Sequence, residues 1–318
     1  MPVSLKGRSF LTLSDFSAEE IYYLLNLAAD LKIKKRAGVR GNLLEGKNVA
    51  LLFEKASTRT RCAFVVACVD EGAHPEFLGK NDIHLGEKED VKDTARVLGR
   101  MFDGIEFRGF KQSMVEELAQ WAGVPVWNGL TDADHPTQVL ADFLTLQECL
   151  PCGKRLKGIR LAYVGDGRNN MSNALMFGCS KLGMRYAIGS PKSLFPDPHV
   201  LEKCKTFCEK SGGSIEVYDD PNNAVKGADA VYTDVWVSMG EEAEKENRMK
   251  LLNPYQVNAK LMSATSRDDT IFLHCLPALK GYEVTEEVFE SQASKVFDEA
   301  ENRMHTIKAI MVATIGNI

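Results

Sequence analysis

The sequence predicts an α/β fold made of two doubly wound domains, each with a parallel sheet between helices. Short apolar runs alternate with longer amphipathic runs along the chain, which is the pattern of successive βαβ units. The chain has 318 residues, enough for two domains of ordinary size. A turn-rich, basic stretch at 150–155 follows a long helical pattern, and such stretches mark domain boundaries.

The predicted strands are short apolar runs bounded by turn residues, as is typical of buried parallel strands. They lie at 48–53, 75–78, 104–108, 125–127, 159–164, 185–189, 214–218, 229–233 and 270–273. Helices are predicted between them, at 91–102, 112–122, 136–149, 170–182 and 199–211.

A last helix is predicted at about 300–316, and we expect it to pack back on the first domain. The first domain then comprises residues 1–150 with the C-terminal helix at about 300–318, and the second comprises residues 151–299. Ligands of such sheets bind outside the carboxyl ends of the strands, so the sequence predicts an active site in the cleft between the two domains.

Composition and charge exclude several classes of protein. The net charge of −5 comes from interspersed signs, which argues against a nucleic-acid or anionic-membrane surface. Residues 1–7 lack the apolar run of a signal peptide, and no segment has the length of a membrane span. We therefore expect a cytoplasmic protein with no nucleic-acid or membrane partner.

The eight cysteines leave a metal or redox site as an alternative. Cys149 and Cys152 form a C-x-x-C pair, and Cys204 and Cys208 have helical spacing, with His199 nearby. No thioredoxin-like context surrounds the first pair, and no further ligand joins the second. Reduced, mostly buried thiols are therefore the expectation, with no metal.

Residues 53–61, here called the phosphate cradle, connect the first predicted strand to a helix. Ser57 or Thr58 is expected to cap that helix, leaving backbone N–H groups for an anion. Three hydroxyls and two arginines lie in the same turn, and both groups coordinate phosphate oxygens. A capped helix start with solvated arginines remains the alternative.

Other polar clusters also follow predicted strands. Each has a purely structural alternative, such as a capping aspartate or a histidine in a turn. They occupy residues 107–109, 134–138, 165–170, 233–240 and 274–277. Because the carboxyl ends of parallel strands meet at one edge of a sheet, the clusters together with the cradle predict a substrate site.

The same stretches resemble the ornithine carbamoyltransferases of the aspartate/ornithine carbamoyltransferase superfamily. The resemblance covers nearly the whole chain, from Leu5 to Lys308. The sequences concerned are S-T-R-T-R at 57–61, F-R-G at 107–109, H-P-T-Q at 135–138, D-V-W-V-S-M-G at 234–240 and H-C-L-P at 274–277. The first three sequences indicate a carbamoyltransferase, and the last two indicate one that uses ornithine as its second substrate.

The resemblance implies that the δ-amine of L-ornithine attacks carbamoyl phosphate to give L-citrulline and phosphate. No metal and no organic cofactor is expected, because the phosphate ester is already activated. The carbamoyl-phosphate residues implied by the resemblance come from both predicted domains. They are Ser57, Thr58, Arg59, Thr60, His84, Arg108, His135, Gln138, Cys275, Leu276 and Arg303. Arg303 is expected at the start of the last helix.

For ornithine, the resemblance implies Asn169 and Met239 for the carboxylate, and Asp234 and Ser238 for the α-ammonium. The residues implied in catalysis are Arg108, His135, Asp234 and Cys275. Arg108 and His135 donate to the developing oxyanion, and Asp234 and Cys275 are candidates for steering the δ-amine proton. His274 is alternatively an orienting residue.

Three alternatives stay open at this stage. A sister carbamoyltransferase acting on aspartate, putrescine or an acylated ornithine shares the phosphate residues. The G-D-G at 165–167 suggests a dinucleotide site, but Asn170 stands in place of the third glycine and Ser190 in place of the acidic ribose ligand. A silent homologue would be expected to lack Arg108, His135 or Cys275, and all three are present.

Without the resemblance, the residues at 81–86 predict a solvated surface turn. The resemblance implies instead that His84 reaches a neighbouring subunit's site, so that the protein is a homotrimer with a shared active site. It also implies a role in arginine metabolism, since arginine biosynthesis and citrulline breakdown use the same site.

Overall fold

The computed structural model describes residues 3–83, 85, 89–151, 155–237 and 244–317. Contacts divide the chain into two compact units, Met1–Leu144 with Glu301–Ile318 and Thr145–Ala300. Each unit contains one parallel β-sheet with helices between its strands. The predicted fold class, two parallel-sheet α/β domains, is confirmed.

The first unit has a four-stranded sheet in the order β2-β1-β3-β4. Its elements are α1 (Ala18–Arg36), β1 (Asn48–Phe53), α2 (Thr58–Asp70), β2 (His74–Gly79), α3 (Val91–Met101), β3 (Gly104–Arg108), α4 (Gln112–Trp121), β4 (Val126–Leu130) and the start of α5 (Pro136–Cys149). The chain passes from β1 to one side and then returns to the other, so β1 and β3 flank the switch point at which ligands of such sheets bind.

The second unit has a five-stranded sheet in the order β7-β6-β5-β8-β9. Its elements are β5 (Arg160–Val164), α6 (Asn170–Leu182), β6 (Arg185–Gly189), α7 (Pro198–Ser211), β7 (Ser214–Tyr218), α8 (Pro221–Val225), β8 (Ala230–Tyr232), α9 (Lys245–Leu252), α10 (Ala259–Ser263), β9 (Ile271–Leu273), α11 (Glu286–Phe289) and the start of α12 (Val296–Ile315). Here the switch point lies between β5 and β8.

The last helix, α12, packs on the first unit as predicted. Lys308 Nζ donates to Asp70 Oδ2 on α2 at 2.7 Å, and Thr314 Oγ1 accepts from the Trp127 indole on β4 at 3.1 Å. The predicted start of this helix is wrong, because it begins at Val296 rather than near residue 300. Arg303 therefore lies about two turns inside the helix and not at its first residue.

The fourth strand also differs from its predicted bounds of 125–127. It continues through Asn128 and Gly129, two residue types that are rare in strands. The pairing with β3 shifts register between Phe107 and Arg108, so Gly129 is the extra residue of a β-bulge. This bulge lies next to Arg108, at the carboxyl end of the strands, where the sequence analysis expects the site residues.

The described cysteines are free thiols, most of them wholly or partly buried, in agreement with the sequence expectation. Cys152, the second member of the C-x-x-C pair, lies outside the described residues. In the part of the chain that the structure describes, no helix is both long and apolar enough to cross a bilayer.

Candidate active site

The phosphate cradle begins where β1 ends, and Ser57 caps the helix that follows. Ser57 has extended backbone angles, and its Oγ accepts from the Thr60 N–H at 3.3 Å. The predicted cap is therefore confirmed at Ser57, and Thr58 is the exposed first residue of α2. The first turn of α2 presents its backbone N–H groups and the positive end of the helix dipole at this position.

The side chain of Thr60 is the centre of the first group of site residues. Its Oγ1 accepts hydrogen bonds from Arg108 at 3.3 Å, from Arg303 at 2.8 Å and from the Ser57 hydroxyl at 3.1 Å. Thr60, Arg108 and Arg303 are all buried. Two guanidinium groups from distant parts of the chain are therefore held around one hydroxyl.

His135 lies in the same cluster, directly before α5. Burial lowers the pKa of the His135 imidazole well below its usual 6.5, and the positive charges of Arg303, Arg108 and Arg59 lower it further. The ring is therefore neutral at pH 7, and it contacts the Thr137 hydroxyl through Nδ1 at 3.4 Å. A neutral imidazole can donate a hydrogen bond to a developing oxyanion without adding charge to the cluster.

Gln138 is fully buried in the first turn of α5. Its Nε2 donates to Asp142 Oδ1 at 2.9 Å, and this bond fixes the orientation of the amide. The sequence analysis expects the side-chain carbonyl of Gln138 to bind the substrate. The Asp142 contact is compatible with this role because it uses the NH₂ group of the same amide.

Not every arginine of the cradle joins this group. The Arg61 guanidinium stacks on the Phe77 ring at 3.6 Å from its centroid, on the exposed side of the helix. Lys55 similarly lies over the Phe110 ring at 4.1 Å, and burial followed by the charge of Arg108 lowers its pKa. The cationic groups at Thr60 are Arg108 and Arg303, and not the Arg61 that follows in sequence.

The second group of site residues lies in the other unit, beginning after β5. Asn169 is the N-cap of α6, and its Oδ1 accepts from the Met171 N–H at 2.7 Å. Because the cap uses the carbonyl oxygen, the side chain offers its NH₂ group to a ligand. An NH₂ donor at a helix N-terminus suits a carboxylate, as the sequence analysis expected.

Asp234, the second residue after β8, lies beside Cys275, the second residue after β9. Asp234 Oδ1 accepts from the Val235 N–H at 2.8 Å and from the Cys275 thiol at 3.1 Å. Asp234 is nearly buried, whereas Cys275 is partly exposed. The structure thus brings together the two residues that the sequence analysis nominated for the amine.

His274 is a fully buried orienting residue. Its Nδ1 accepts from the Leu276 N–H at 2.9 Å, and its Nε2 lies 3.4 Å from Glu283 Oε1. The backbone N–H of His274 in turn donates to Glu299 Oε2 at 3.0 Å. The His274 ring thus holds the N–H of the peptide between Cys275 and Leu276. Leu276 itself has a φ of 59°, an uncommon value for a residue other than glycine.

The donor atoms of Asp234, His274 and Cys275 all lie within 4.8 Å of one another, which is close enough to hold a metal ion. Both the His274 Nδ1 and one Asp234 oxygen already accept hydrogen bonds from the protein. The expectation that no metal is needed stays a prediction.

Sequence reasoning missed two buried residues in this unit. Arg248 forms an ion pair with Asp166 after β5, and its Nε donates to the Trp236 carbonyl after β8 at 2.7 Å. The Tyr163 hydroxyl has a pKa well above its usual value because of burial first and then the negative charge of Asp234. Neither residue belongs to a short sequence pattern, so no local signal could have identified it.

Three of the predicted site residues, His84, Ser238 and Met239, lie outside the described residues. Among the others, the structure joins Ser57, Arg108 and Arg303 to Thr60 and, separately, Asp234 to Cys275. The assignment of the full set to a substrate site stays a prediction.

We predict that His135 stays neutral well below pH 6.5, since burial and three arginines oppose a charged ring. The measurement is a pH titration of labelled histidine rings by NMR, with His135→Gln identifying the signal. In Arg108→Gln the titration should move toward higher pH, because one positive charge is removed. A His135 ring that gains its proton at or above pH 6.5 would contradict this electrostatic description.

Comparison with known proteins finds one family model for each part of the chain. Residues 8–148 match the family described as "Aspartate/ornithine carbamoyltransferase, carbamoyl-P binding domain". Residues 157–314 match "Aspartate/ornithine carbamoyltransferase, Asp/Orn binding domain". The two matches together account for most of the chain.

Individual relatives are similar over their full length. A Bacillus licheniformis protein named a catabolic ornithine carbamoyltransferase is 59% identical, over 99% of this chain and 98% of its own. An ornithine carbamoyltransferase of Caldanaerobacter subterraneus is 57% identical, over 99% of this chain and 100% of its own. The solved ornithine carbamoyltransferase of Pyrococcus furiosus superposes with a TM-score of 0.94 at 45% identity, covering 100% of both chains. The chain belongs to the aspartate/ornithine carbamoyltransferase family.

Proposed function

We propose that this chain is an ornithine carbamoyltransferase, which transfers the carbamoyl group of carbamoyl phosphate to the δ-amine of L-ornithine. The observation that carries the proposal is the nearly buried Asp234 carboxylate hydrogen-bonded to the Cys275 thiol. A carboxylate in this position favours an amine substrate, and it distinguishes ornithine from aspartate. The names of the full-length relatives support the same substrate.

The phosphate of carbamoyl phosphate binds at the first turn of α2 in this proposal. Backbone N–H groups and the hydroxyls of Ser57, Thr58 and Thr60 coordinate its oxygens. Arg59, Arg108 and Arg303 supply charge-assisted bonds. Their positive charges all act on His135, which supports their gathering at one site.

The carbamoyl end extends toward His135 and Gln138. The neutral His135 and Arg108 donate to the oxyanion that forms when the carbamoyl carbon becomes tetrahedral. A donor of this kind is typically worth about 3 kcal/mol of transition-state stabilisation. Gln138 accepts from the carbamoyl NH₂, while its own NH₂ stays bound to Asp142.

Ornithine binds to the second group of residues. Its carboxylate accepts from the Asn169 NH₂ and from the Met239 N–H, and its α-ammonium pairs with Asp234 and Ser238. The δ-amine lies at Cys275 and the Leu276 carbonyl, next to the Cys275–Leu276 peptide whose N–H donates to the His274 ring.

Transfer requires the δ-amine in its neutral form. The amine nitrogen forms a bond to the carbamoyl carbon, and the bond from that carbon to the phosphate oxygen then breaks. Phosphate leaves with the bonding electrons, and the proton lost by the nitrogen passes to the phosphate or to the Asp234–Cys275 pair. The mixed phosphate anhydride supplies the driving force, so the proposal calls for no metal and no cofactor.

A sister carbamoyltransferase is the second candidate, and the Asn169 geometry disfavours it. Putrescine has no carboxylate for the Asn169 NH₂ group. Aspartate would place a second carboxylate near Asp234. An acylated ornithine lacks the α-ammonium that Asp234 is suited to bind.

We further propose a cytoplasmic homotrimer acting in arginine metabolism, with a site shared between subunits. The free cysteines suit a reducing compartment. Cys62, Val66 and Val69 are exposed along one face of α2, the helix that begins at the cradle. An apolar face beside the site fits a second copy of the chain that completes it through His84. Biosynthesis and breakdown of arginine would use this same site.

We predict that ornithine gives the highest kcat/KM for carbamoylation among ornithine, putrescine, aspartate and acetylornithine. The expected margin is at least about a hundredfold, because each competitor leaves a charged or polar group without its partner. The assay follows the carbamoylated product, with Arg108→Ala as a control for contaminating activity. A preference for any other amine would overturn the assignment.

Asp234→Asn should weaken ornithine use far more than carbamoyl phosphate binding. The α-ammonium loses its counter-charge, whereas the groups around Thr60 belong to the other unit and are unchanged. An inert mimic joining a phosphonate to ornithine should bind the parent tightly and this variant at least about tenfold more weakly. Inorganic phosphate should bind both alike. Equal binding of the mimic would remove Asp234 from the ornithine site.

If His84 serves a neighbouring site, two defective variants should repair each other in mixed trimers. His84→Ala lacks only the donated ligand, and Arg59→Ala lacks only the local cradle arginine. Random mixing of equal amounts would make roughly a quarter of the sites whole, because each needs one correct donor and one correct acceptor. Activity after dissociation and reassociation should therefore rise above the average of the parents.

The control for this experiment is the same mixing without dissociation, in which no activity should be gained. If subunits demonstrably exchange and both parents are defective, activity that stays at the parental average would place His84 in an ordinary surface loop.

A further inference from the structure

Glu106 is a buried carboxyl that the proposed reaction does not use. It lies in β3, paired in register with Trp127 of β4 and two residues before Arg108. Its side chain is fully buried, and neither of its carboxyl oxygens has a hydrogen-bond partner among the described residues. A buried carboxyl without a partner is costly, so its retention calls for a physical reason.

The fold leaves a specific space for this carboxyl. A Cβ atom added to Gly129 would lie only 2.0 Å from Glu106 Oε1, so the carboxyl rests directly against the glycine. Gly129 is the extra residue of the β-bulge in β4. The bulge thus makes room for the Glu106 carboxyl close to Arg108, the first site residue on this strand.

The charged groups that act on Glu106 belong to residues of the proposed phosphate site. Arg108 on its own strand and Arg303 on α12 both act electrostatically on the carboxyl. These are the two guanidinium groups that donate to Thr60 Oγ1 on α2. The segment of α5 also carries titratable groups. His135 directly precedes the helix and stays neutral, and Asp142 is buried within it and accepts from Gln138 Nε2 at 2.9 Å.

We propose that Glu106 is a positioning residue for the phosphate site, whose carboxyl exchanges a proton as the site fills and empties. When Arg108 and Arg303 hold a phosphoryl dianion, Glu106 is protonated and neutral. When the site is empty, the same arginines partly offset the effect of burial, so Glu106 loses its proton at a lower pH than in the filled site, and the carboxylate formed above that pH competes with the next anion. This inference rests on the proposed phosphate site and adds a proton-linked control of its affinity.

The two known influences on Glu106 act in opposite directions. Burial raises the pKa of the carboxyl well above its usual value, and the charges of Arg108 and Arg303 lower it. A bound dianion adds negative charge nearby, so it raises the pKa again. The carboxyl therefore has a higher pKa in the filled site than in the empty one.

The sign of the pH effect follows from this difference. At low pH the carboxyl is protonated in both states, and Glu106 does not affect anion affinity. As pH rises through the pKa of the empty site, binding must take up a proton, and affinity falls tenfold per pH unit. Above the pKa of the filled site the loss levels off. For a carboxylate within several ångströms of a bound dianion, Coulomb repulsion corresponds to a total loss of affinity on the order of tenfold or more.

The test compares binding of inorganic phosphate by the parent, Glu106→Gln and Asp103→Asn across the stable pH range. Glutamine copies the shape of the protonated carboxyl but cannot ionise. Phosphate titrates as well, but its own protonation cancels in the ratio of the dissociation constants of parent and variant. Asp103→Asn removes a carboxylate whose partners are Lys47 and the Asn48 N–H, at the opposite end of the sheet.

The dissociation constant of the parent divided by that of Glu106→Gln should be near one at low pH and should rise about tenfold or more at high pH. The dissociation constant of the parent divided by that of Asp103→Asn should not change with pH. Calorimetry in two buffers of different ionisation enthalpy should show proton uptake by the parent that Glu106→Gln lacks. The infrared carbonyl band of a protonated carboxyl should grow when phosphate binds to the parent, a readout that needs no variant.

A Glu106→Gln ratio that is flat with pH, or an infrared band that is unchanged by phosphate, would overturn the proposal. Failure of phosphate to bind the parent at any pH would overturn the phosphate site and Glu106 together. A rising ratio in a protein that does not carbamoylate ornithine would support Glu106 and contradict only the proposed substrate.

Discussion

The hydrogen bonds of Arg108 and Arg303 to one threonine hydroxyl are the constraint on which the first unit depends. Two buried guanidinium groups lie close to one hydroxyl, and their positive charges favour an anion there. Arg108 reaches Thr60 because β3 is the neighbour of β1 in the sheet. Arg303 reaches it because α12 packs on α2 through Lys308 and Asp70.

The two groups of site residues have opposite electrostatic character. Around Thr60 the charges are positive, and His135 is held neutral so that it does not add to them. Around Asp234 the charge is negative, and Cys275 hydrogen-bonds to the carboxylate. A phosphate ester and a diamino acid are the substrates that match these two environments. In each unit most of these residues follow the carboxyl ends of strands, where the loops of neighbouring parallel strands meet.

Much of this arrangement could be predicted from the sequence because its signals are local. The Ser57 cap, the alternation of strands and helices, and the polar residues after each strand depend on neighbours in the chain. Contacts between distant residues gave no such signal. Arg61 stacks on Phe77 from β2, and Arg248 links two loops of the second unit. The acidic first turn of α12 was a local signal for its true start.

The central claim is that Thr60, Arg108 and Arg303 form the phosphate site, and a crystal structure with a phosphonate analogue of carbamoyl phosphate tests it most directly. We expect the phosphonate oxygens within hydrogen-bond distance of the Thr60 hydroxyl, the α2 backbone N–H groups and both guanidinium groups. The amide of the analogue should lie at His135. A phosphonate bound elsewhere, without a contact to Arg108 or Arg303, would contradict the account.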